Sequence, residues 1–456
     1  LQDMEGDYKD SQKGEMIAVA DRIIEPTCGP DTRQDTIWRD SLRIDTIIRR
    51  GFTHFYPDDV VLRAFTIPLT DRYMIKNQRQ EPDRLEFFFS YGSDSLPKMK
   101  GLNFDADSAF IVDASPKKDT ITYWLRDTAL INRDSLEIEY SYHITDTLGQ
   151  LVPQTDTLLM VPKLPFEKRQ KMLEKEMEKW QKQQDKLKKK GEKYDSVWTP
   201  KPLDIKVTAP SSLTPENYLY FKMPVPLARC DTSMIHLKAK VDTLWVPQKF
   251  DWQQMPQSIL NYRLEAVWTP GTEYQLEVDS AAFESIYGIV NDKMKSSLKC
   301  KSEEEFGTLV VKIAGLPDST SAIVQLLDKQ DGVVKEAKTQ SDGSAEFYWL
   351  SEGKFYLRAF IDRNGNGIWD AGDFYKALQP EEMYYLPKVI EIKANWDITT
   401  EWNLTQARLD RQKPLEITKQ KPEKEKQLKN RNKTRAEQLG IPFDKIPSEV
   451  KTAATR

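Results

Sequence analysis

The fold is most constrained by a long series of short segments in which apolar and polar residues alternate. Residues 60–65, 85–89 and 120–125 are three of these segments, and Asp, Gly, Pro and Ser separate them from their neighbours. A period of two places every second side chain on one face of a strand, and turn-forming residues between the segments favour antiparallel connections. We therefore predict an all-β chain of tandem Ig-like or prealbumin-like β-sandwiches.

Changes in composition divide the chain into seven predicted parts. The first two sandwiches are predicted to be copies of one fold, because similar strands recur and a turn glycine, Gly149, is repeated 139 residues later at Gly288. The parts are a remnant of an earlier regulatory-like β domain (1–28), a linker (29–48), an Ig-like sandwich (49–163), a charged helical spacer (164–199), a second Ig-like sandwich (200–305), a prealbumin-like or carboxypeptidase-regulatory-like sandwich (306–405) and a charged tail (406–456).

The segment after the first sandwich differs sharply from the strands around it. Residues 167–180 are nearly all charged and strongly helix-forming. In a helix, Leu173, Met177, Trp180 and Leu187 would form one narrow apolar stripe. The stripe is short for a coiled coil, which favours a solvated spacer that keeps two sandwiches apart. A docking helix for a partner is the alternative.

Overall composition limits the classes of function. Charged residues make up 30% of the 456 residues, yet the net charge is only −4, which argues against a dedicated nucleic-acid-binding protein. The cysteines, Cys28, Cys230 and Cys300, have no zinc spacing; we expect buried free thiols and leave a bond between Cys230 and Cys300 open. No apolar run reaches the roughly 18 residues of a membrane span. Because the chain starts at Leu1, we expect it to be part of a longer or processed protein.

One segment combines oxygen-bearing side chains with glycines more densely than any other. It lies between strand-like residues 354–361 and 374–378. An EF-hand-like calcium loop has oxygen ligands at positions 1, 3, 5, 7, 9 and 12 and glycine at position 6. The alternative is a polar hairpin turn, in which Asn and Gly adopt positive φ angles. In the calcium interpretation the ligands are Asp362, Asn364, Asn366, the carbonyl of Ile368, Asp370 and Asp373, with Gly367 at position 6.

A degenerate copy of this loop occupies the start of the chain. Asp3, Glu5, Asp7 and Asp10 repeat its order of oxygen-bearing residues with slipped spacing and precede an apolar run. We infer that the chain begins inside the last hairpin of an earlier domain.

The sequence contains no familiar catalytic motif. The histidines, His54, His143 and His236, do not belong to a nucleophile elbow, a phosphate-binding loop, a dinucleotide fingerprint or a zinc-protease motif. Each is expected to be a surface or packed side chain. We therefore predict that the protein is not an enzyme, with a hydrolase built from scattered loop residues as the alternative.

The third sandwich resembles a known type of domain. Residues 353–358 read Gly-Lys-Phe-Tyr-Leu-Arg, and an Asp-x-Asn-x-Asn-Gly-x-x-Asp loop and a Gly-acid pair follow, as in prealbumin-like sandwiches of the carboxypeptidase-regulatory and collagen-adhesin B types. With residues 379–386 (Gln-Pro-Glu-Glu-Met-Tyr-Tyr-Leu), Asn-Trp-Asp at 395–397 and the Lys-rich tail, the chain resembles Ig-like domain-containing envelope lipoproteins of Bacteroidota. The resemblance implies an all-β, lipid-anchored protein of the bacterial outer membrane and implies no particular reaction.

These observations lead us to expect a non-catalytic accessory or scaffold subunit of an outer-membrane complex that serves barrel assembly, secretion or nutrient uptake. The expected partners are β-barrel proteins or other lipoproteins, with a lipid anchor outside this chain segment, on the periplasmic or the cell-surface side, and no nucleic acid. The tail is expected to be disordered without a partner. The alternative is a glycan-binding or adhesion module stiffened by structural Ca²⁺, with Trp369, Tyr384 and Tyr385 as an exposed aromatic platform.

Overall fold

The alternating segments form sheets that pack in pairs, and helices are few. The computed structural model describes residues 14–20, 22–38, 44–58, 60–210, 213–316 and 320–418. Within these ranges three sandwiches follow one another along the chain, each around its own apolar core. The predicted all-β class with tandem sandwiches is confirmed.

Two small sheets precede the first sandwich. The strands are β1 (Met16–Ala18), β2 (Thr27–Trp38), β3 (Ile44–Tyr56) and β4 (Ala64–Thr66). β1 pairs with β4, while β2 and β3 form a long two-stranded ribbon that joins no other described sheet. Most of the expected linker at residues 29–48 therefore lies in strands, because cross-strand backbone hydrogen bonds require no apolar period. The predicted loop copy at residues 3–10 lies outside the described residues.

Seven strands and one helical turn make the first sandwich. They are β5 (Met74–Gln78), β6 (Arg84–Phe89), β7 (Lys98–Gly101), β8 (Phe110–Ala114), β9 (Thr120–Leu125), α1 (Thr128–Ile131), β10 (Leu136–Thr145) and β11 (Leu151–Met160). A sheet of order β5-β6-β9-β8 packs on one of order β11-β10-β7. Alternate residues of β6 and β10 point into the core, where Phe87 and Tyr140 stack with ring centroids 4.1 Å apart.

The predicted helix is present as α2 (Phe166–Lys190) and has no buried residue. It ends at Gly191, whose φ of 75° is the left-handed conformation typical of a helix C-terminus. The chain then returns along the helix: Lys201 pairs with Glu176 at 2.6 Å, and the Asp195 backbone donates to Gln184 at 2.9 Å. No helix in the described ranges is long and apolar enough to cross a bilayer.

The second sandwich repeats the first. Its strands are β12 (Lys206–Thr208), β13 (Leu219–Lys222), β14 (Leu227–Cys230), β15 (Ile235–Val241), β16 (Leu244–Pro247), β17 (Phe250–Gln254), β18 (Asn261–Ala266), β19 (Glu273–Val278), β20 (Phe283–Ser285) and β21 (Met294–Lys299), with a 3₁₀ turn at Thr232–Met234. The order β12-β13-β18-β17 matches β5-β6-β9-β8, and β15-β19-β21 matches β7-β10-β11. The two sandwiches thus share a strand order, and Gly149 and Gly288, which were matched in the sequence, both have positive φ.

The expected separation of these two sandwiches by the helix is not observed. The Asp113 carboxylate accepts hydrogen bonds from the Ser258 hydroxyl at 2.7 Å and the Ile259 backbone at 3.0 Å. The Tyr287 hydroxyl donates to the Leu125 carbonyl at 2.8 Å. The two sandwiches are therefore in direct contact, since turns of the second bind β8 and β9 of the first, and helix α2 does not separate them.

The third sandwich combines antiparallel strands with one parallel pair. Its strands are β22 (Phe306–Ala314), β23 (Ser321–Leu327), β24 (Val333–Lys338), β25 (Ser344–Ser351), β26 (Gly353–Asp362), β27 (Met383–Tyr385), β28 (Ile390–Ile392) and β29 (Asp397–Asn403), with a 3₁₀ turn at Glu303–Glu305 before them. β22 and β29 run parallel. The strand-like residues 374–378 form a turn instead, and β26 pairs with β27.

The start of the expected tail packs on the third sandwich. Gln412, 2% exposed, donates to the carbonyls of Leu404 and Ala407 at 3.0 and 2.9 Å and accepts from the Tyr385 backbone at 3.0 Å. Two 3₁₀ turns follow β29, Leu409–Arg411 and Leu415–Ile417. Residues 406–418 therefore belong to the domain, because buried side chains hold them, and residues 419–456 lie outside the described ranges.

Candidate functional site

The predicted calcium loop connects β26 to β27 and is organised around Asp362. This side chain is 3% exposed at the end of a buried strand. Its carboxylate accepts hydrogen bonds from the backbone of Gly365 at 2.8 Å and of Gly367 at 3.0 Å. Both glycines have φ near +75°, which lets the loop fold back over the carboxylate.

Three more of the predicted ligands converge in the same loop. The side-chain amides of Asn364 and Asn366 donate to one oxygen of Asp370 at 2.6 and 2.8 Å. Their amide oxygens accept from the backbone of Asn366 and Ile368. The side chains of Asn364, Asn366 and Asp370 are thus in contact, and Asp362 binds the backbone of the same loop.

Asp373, the predicted final ligand, belongs to a separate turn. Its carboxylate pairs with Lys376 at 3.0 Å, and its backbone exchanges two 2.9 Å hydrogen bonds with Leu378. The hydrogen bond from Lys376 lowers the pKa of Asp373. Residues 373–378 close a tight turn of their own, which directs Asp373 to Lys376.

A carboxylate that the motif did not predict closes the loop instead. Glu381 is 6% exposed and accepts from the backbone of Arg363 at 2.8 Å and of Asp370 at 3.1 Å. Its backbone carbonyl accepts from the indole of Trp369 at 3.0 Å. The only sequence signal for this role is that Glu381 lies in the Gln-Pro-Glu-Glu segment before β27.

The oxygen groups of this loop fit a hard cation. Calcium prefers carboxylate, amide and carbonyl oxygens. Rotation of the Asn364 and Asn366 amides about their last side-chain bond would replace nitrogen by oxygen at the Asp370 side of the loop. The described residues contain no group of three or more His, Cys, Asp or Glu side chains placed for a metal. Calcium at this loop stays a prediction.

The expected aromatic platform beside the loop is not formed. Tyr384 is 8% exposed and belongs to the core of the third sandwich, where burial raises its pKa to about 12. Trp369 is half-buried and tied to Glu381. Tyr385 lies beneath the cations of Lys413 and Arg358, at 5.0 and 6.0 Å from its centroid.

The loop also contacts the start of the described chain. Arg63 pairs with Glu382 at 2.6 Å, and Gln379 donates to the Val19 carbonyl at 3.0 Å. Phe65 lies so close to Gly372 that a Cβ there would stand 2.7 Å from its ring. The loop region is therefore the junction between the N-terminal strands and the third sandwich.

Two of the three histidines have acidic neighbours. On the ribbon, His54 lies between Asp31 and Asp58, with each ring nitrogen 2.8 Å from a carboxylate oxygen, and it stacks on Tyr56. His236 is 2.9 Å from Asp279. The carboxylates around His54 raise its pKa, and the hydrogen bond from His54 lowers the pKa of Asp31.

The contacts of His54 with Asp31 and Asp58, here called the His54 clamp, make the stability of the ribbon dependent on pH. The pKa of His54 is raised above 6.5 in the folded protein. The stability that His54 contributes is therefore complete below pH 6.5 and is lost as the pH rises through its pKa in the folded state. The lowered pKa of Asp31 adds stability above pH 3.8 that is lost on acidification. We expect an NMR titration to give His54 a pKa above 6.5, and Asp31→Asn to lower it. An unchanged value in that variant would contradict the clamp.

The cysteines are free thiols. Cys300 is buried, Cys230 is half-buried in the same core, and Cys28 is exposed on the ribbon. Burial raises the pKa of Cys230 and Cys300, which makes both thiols poor nucleophiles. Free thiols were predicted correctly, and the expectation of burial fails for Cys28, because the ribbon has no core.

Comparison with known proteins identifies no relative. No family model and no curated protein matches the chain. Among solved structures, similarity extends to the Bacillus anthracis TIE protein (11% identity, 74% of this chain and 58% of that chain, TM-score 0.15), the major pilin subunit BcpA of Bacillus cereus (8%, 63% and 88%, 0.17) and the titin I-band fragment I67–I69 (9%, 74% and 100%, 0.14). The chain thus spans little more than half the length of the TIE protein. At these TM-scores the similarities carry no argument about function.

Proposed function

We propose that the protein is a non-catalytic accessory subunit of an outer-membrane protein complex, tethered through a lipid anchor outside this chain segment. Barrel assembly, secretion and nutrient uptake are the candidate processes. The observation that carries the proposal is the β2–β3 ribbon, which extends from the sandwiches with strands of 12 and 13 residues.

The ribbon has the properties of a docking element. It pairs from Thr27 opposite Tyr56 to Trp38 opposite Ile44, and no other described strand covers either edge. An isolated two-stranded sheet is marginally stable in water, and free strand edges pair readily with other chains. Ile47 and Phe55 lie on the same face of β3 and are 50% and 69% exposed. A partner that adds a strand or covers this face would stabilise the ribbon.

Helix α2 supports a position next to a membrane. It carries ten basic and five acidic side chains, a net charge of +5, although the whole chain has −4. Anionic lipid surfaces attract clustered lysines. A row of lysines at every third or fourth position follows one face: Lys168, Lys171, Lys175, Lys179, Lys182, Lys186 and Lys189.

A pull-down in mild detergent tests the ribbon as the contact. We expect the native protein to co-purify with a stoichiometric membrane partner, and Ile47→Lys with Phe55→Lys to reduce recovery at least about tenfold, the loss expected of a hot-spot contact. The control exchanges two exposed apolar residues of the second sandwich, Leu244→Lys with Val267→Lys. Purification of the native protein only as a free monomer would overturn the proposal, as would equal losses in both double variants.

A calcium-stiffened glycan-binding or adhesion module is the second candidate. It is favoured by the convergence of Asp362, Asn364, Asn366 and Asp370. The missing aromatic platform counts against glycan binding beside this loop. A glycan array without a hit, together with a melting temperature that chelators do not change, would exclude this candidate.

A further inference from the structure

A buried arginine with an unpaired nitrogen lies at one end of the first sandwich. Arg72 is 2% exposed, and its guanidinium carbon lies 4.0 Å from the centroid of Phe89. One terminal nitrogen donates to the Tyr91 carbonyl, but Nε has no hydrogen-bond partner. No carboxylate within the described ranges forms an ion pair with this side chain. A buried cation without such partners is costly to keep in a fold.

A second buried arginine in the same sandwich shows what a purely structural role looks like. Arg79 is also 2% exposed, and all three of its guanidinium nitrogens donate to backbone carbonyls. The acceptors are Pro82, Leu130, Ile131 and Arg133, at 2.8–3.3 Å. The fold therefore satisfies Arg79 completely and leaves Arg72 with unused donor capacity.

Arg72 lines a cleft of the first sandwich with a volume of about 1070 Å³. The loops before β5, after β6, between β8 and β9 and between β10 and β11 surround it. Lys117 and His143 add positive or titratable groups, and Ser93 and Ser95 add hydroxyls. Two carboxylates, Asp71 and Asp94, stand among the lining side chains as well.

The loops around the cleft hold each other in place. The Ser93 backbone donates to the Lys117 carbonyl at 2.9 Å. Gly92 is required for this approach, because a Cβ there would stand 2.5 Å from that carbonyl oxygen. The Arg72 backbone donates to the Thr145 hydroxyl at 2.8 Å. The cleft is therefore preformed, which lowers the entropy that a ligand must lose on binding.

We propose that this cleft binds an anionic saccharide, with Arg72 receiving its carboxylate or phosphate group. Arginine presents several N–H donors in a plane that matches both kinds of anion. Lys117 at the rim adds attraction, and serine hydroxyls both donate to and accept from sugar hydroxyls. Tyr91, which is 45% exposed, also lines the cleft. No residue of the β2–β3 ribbon lines the cleft, and the proposal does not rest on the accessory role.

An NMR titration of the full chain tests the site, with His143 as the reporter. The probes are D-glucuronate for a carboxylate, glucose 6-phosphate for a phosphate, and D-glucose as the uncharged control. We expect at least one anion to shift the His143 resonances to saturation and glucose to leave them unchanged. Arg72→Met is expected to weaken binding at least about 30-fold, as for loss of one partner of a buried charged pair.

A milder variant keeps the test valid where Arg72→Met does not fold. Lys117→Met should weaken binding about threefold, the effect of one exposed charge, while Lys76→Met, an exposed lysine of β5 away from the cleft, should leave it unchanged. Three results would overturn the proposal: no saturable shift with either anion, equal binding of glucose, or equal effects of the Lys117 and Lys76 variants.

Discussion

Replacing Arg79 by methionine is expected to lower the free energy of unfolding of the first sandwich by about 3–5 kcal/mol, as for removal of one partner from a buried charged network. Burial lowers the pKa of Arg79 to about 10, so it carries its charge at neutral pH. Its guanidinium donates to the carbonyls of Pro82 and Arg133 at 2.8 and 2.9 Å and also to the Leu130 and Ile131 carbonyls of the helical turn α1. Methionine fills a similar volume but removes this donor from every one of these carbonyls.

Hydrogen exchange measured by mass spectrometry would follow this domain within the whole chain. We expect faster exchange of the amides of β6, β9 and β10, with the third sandwich unaffected. The control is Arg84→Met, because Arg84 is partly exposed, pairs with Asp83 and Glu86 at 3.5 and 3.6 Å and lies 5.0 Å from the centroid of the Trp124 ring. Its expected loss is below about 1 kcal/mol. Equal acceleration in both variants would show that the carbonyl contacts of Arg79 contribute little.

Asp362→Ala is expected to destabilise the third sandwich by about 3 kcal/mol, while Asp373→Ala costs less than about 1 kcal/mol. The two residues were predicted as the first and last ligands of one loop, and the structure separates their roles. Asp362 is buried and holds two backbone amides, whereas Asp373 pairs with Lys376, whose side chain is 74% exposed. Hydrogen exchange of the backbone amides of β23 and β26 would measure the difference in stability between the two variants.

The effect of added calcium on stability would also distinguish the roles of Asp362 and Asp373. If the loop binds calcium, addition at 100 times the dissociation constant raises the stability of this domain by about 2.7 kcal/mol. We expect Asp362→Ala to abolish that response, Glu381→Gln to weaken it, and Asp373→Ala to retain it. Loss of the response in Asp373→Ala alone would restore the original ligand assignment. A native protein that does not respond would leave the loop as a hydrogen-bonded turn.

The sequence predicted those parts of the fold that depend on burial. Apolar and polar residues alternate in β6 and β10 because one face of each strand is buried in the core. The positions of these strands along the chain could therefore be predicted from the sequence pattern. The β2–β3 ribbon has no core face, and its Asp, Arg and Thr residues resemble a linker. Its pairing depends on backbone hydrogen bonds between distant residues, which leave no period in the sequence.

The candidate sites illustrate the same limit. Asp362, Asn364, Asn366 and Asp370 come together because their spacing within one loop determines their positions. Glu381 reaches the loop only after a second turn reverses the chain, and no local motif encodes that reversal. The cleft at Arg72 is more distant still, because four separate loops assemble it.

The contacts between domains have a mechanical consequence. The first sandwich touches the second through Asp113, the second touches the third through an ion pair of Glu216 with Lys335 at 2.7 Å, and Arg63 links the N-terminal strands to the third. Together with the covalent chain, these contacts close a circuit. In a closed circuit of this kind, one sandwich cannot rotate away from its neighbour without straining another of these contacts. A cation that tightens the loop at Asp362 would therefore restrict the movement of every domain in the circuit, including those it never touches.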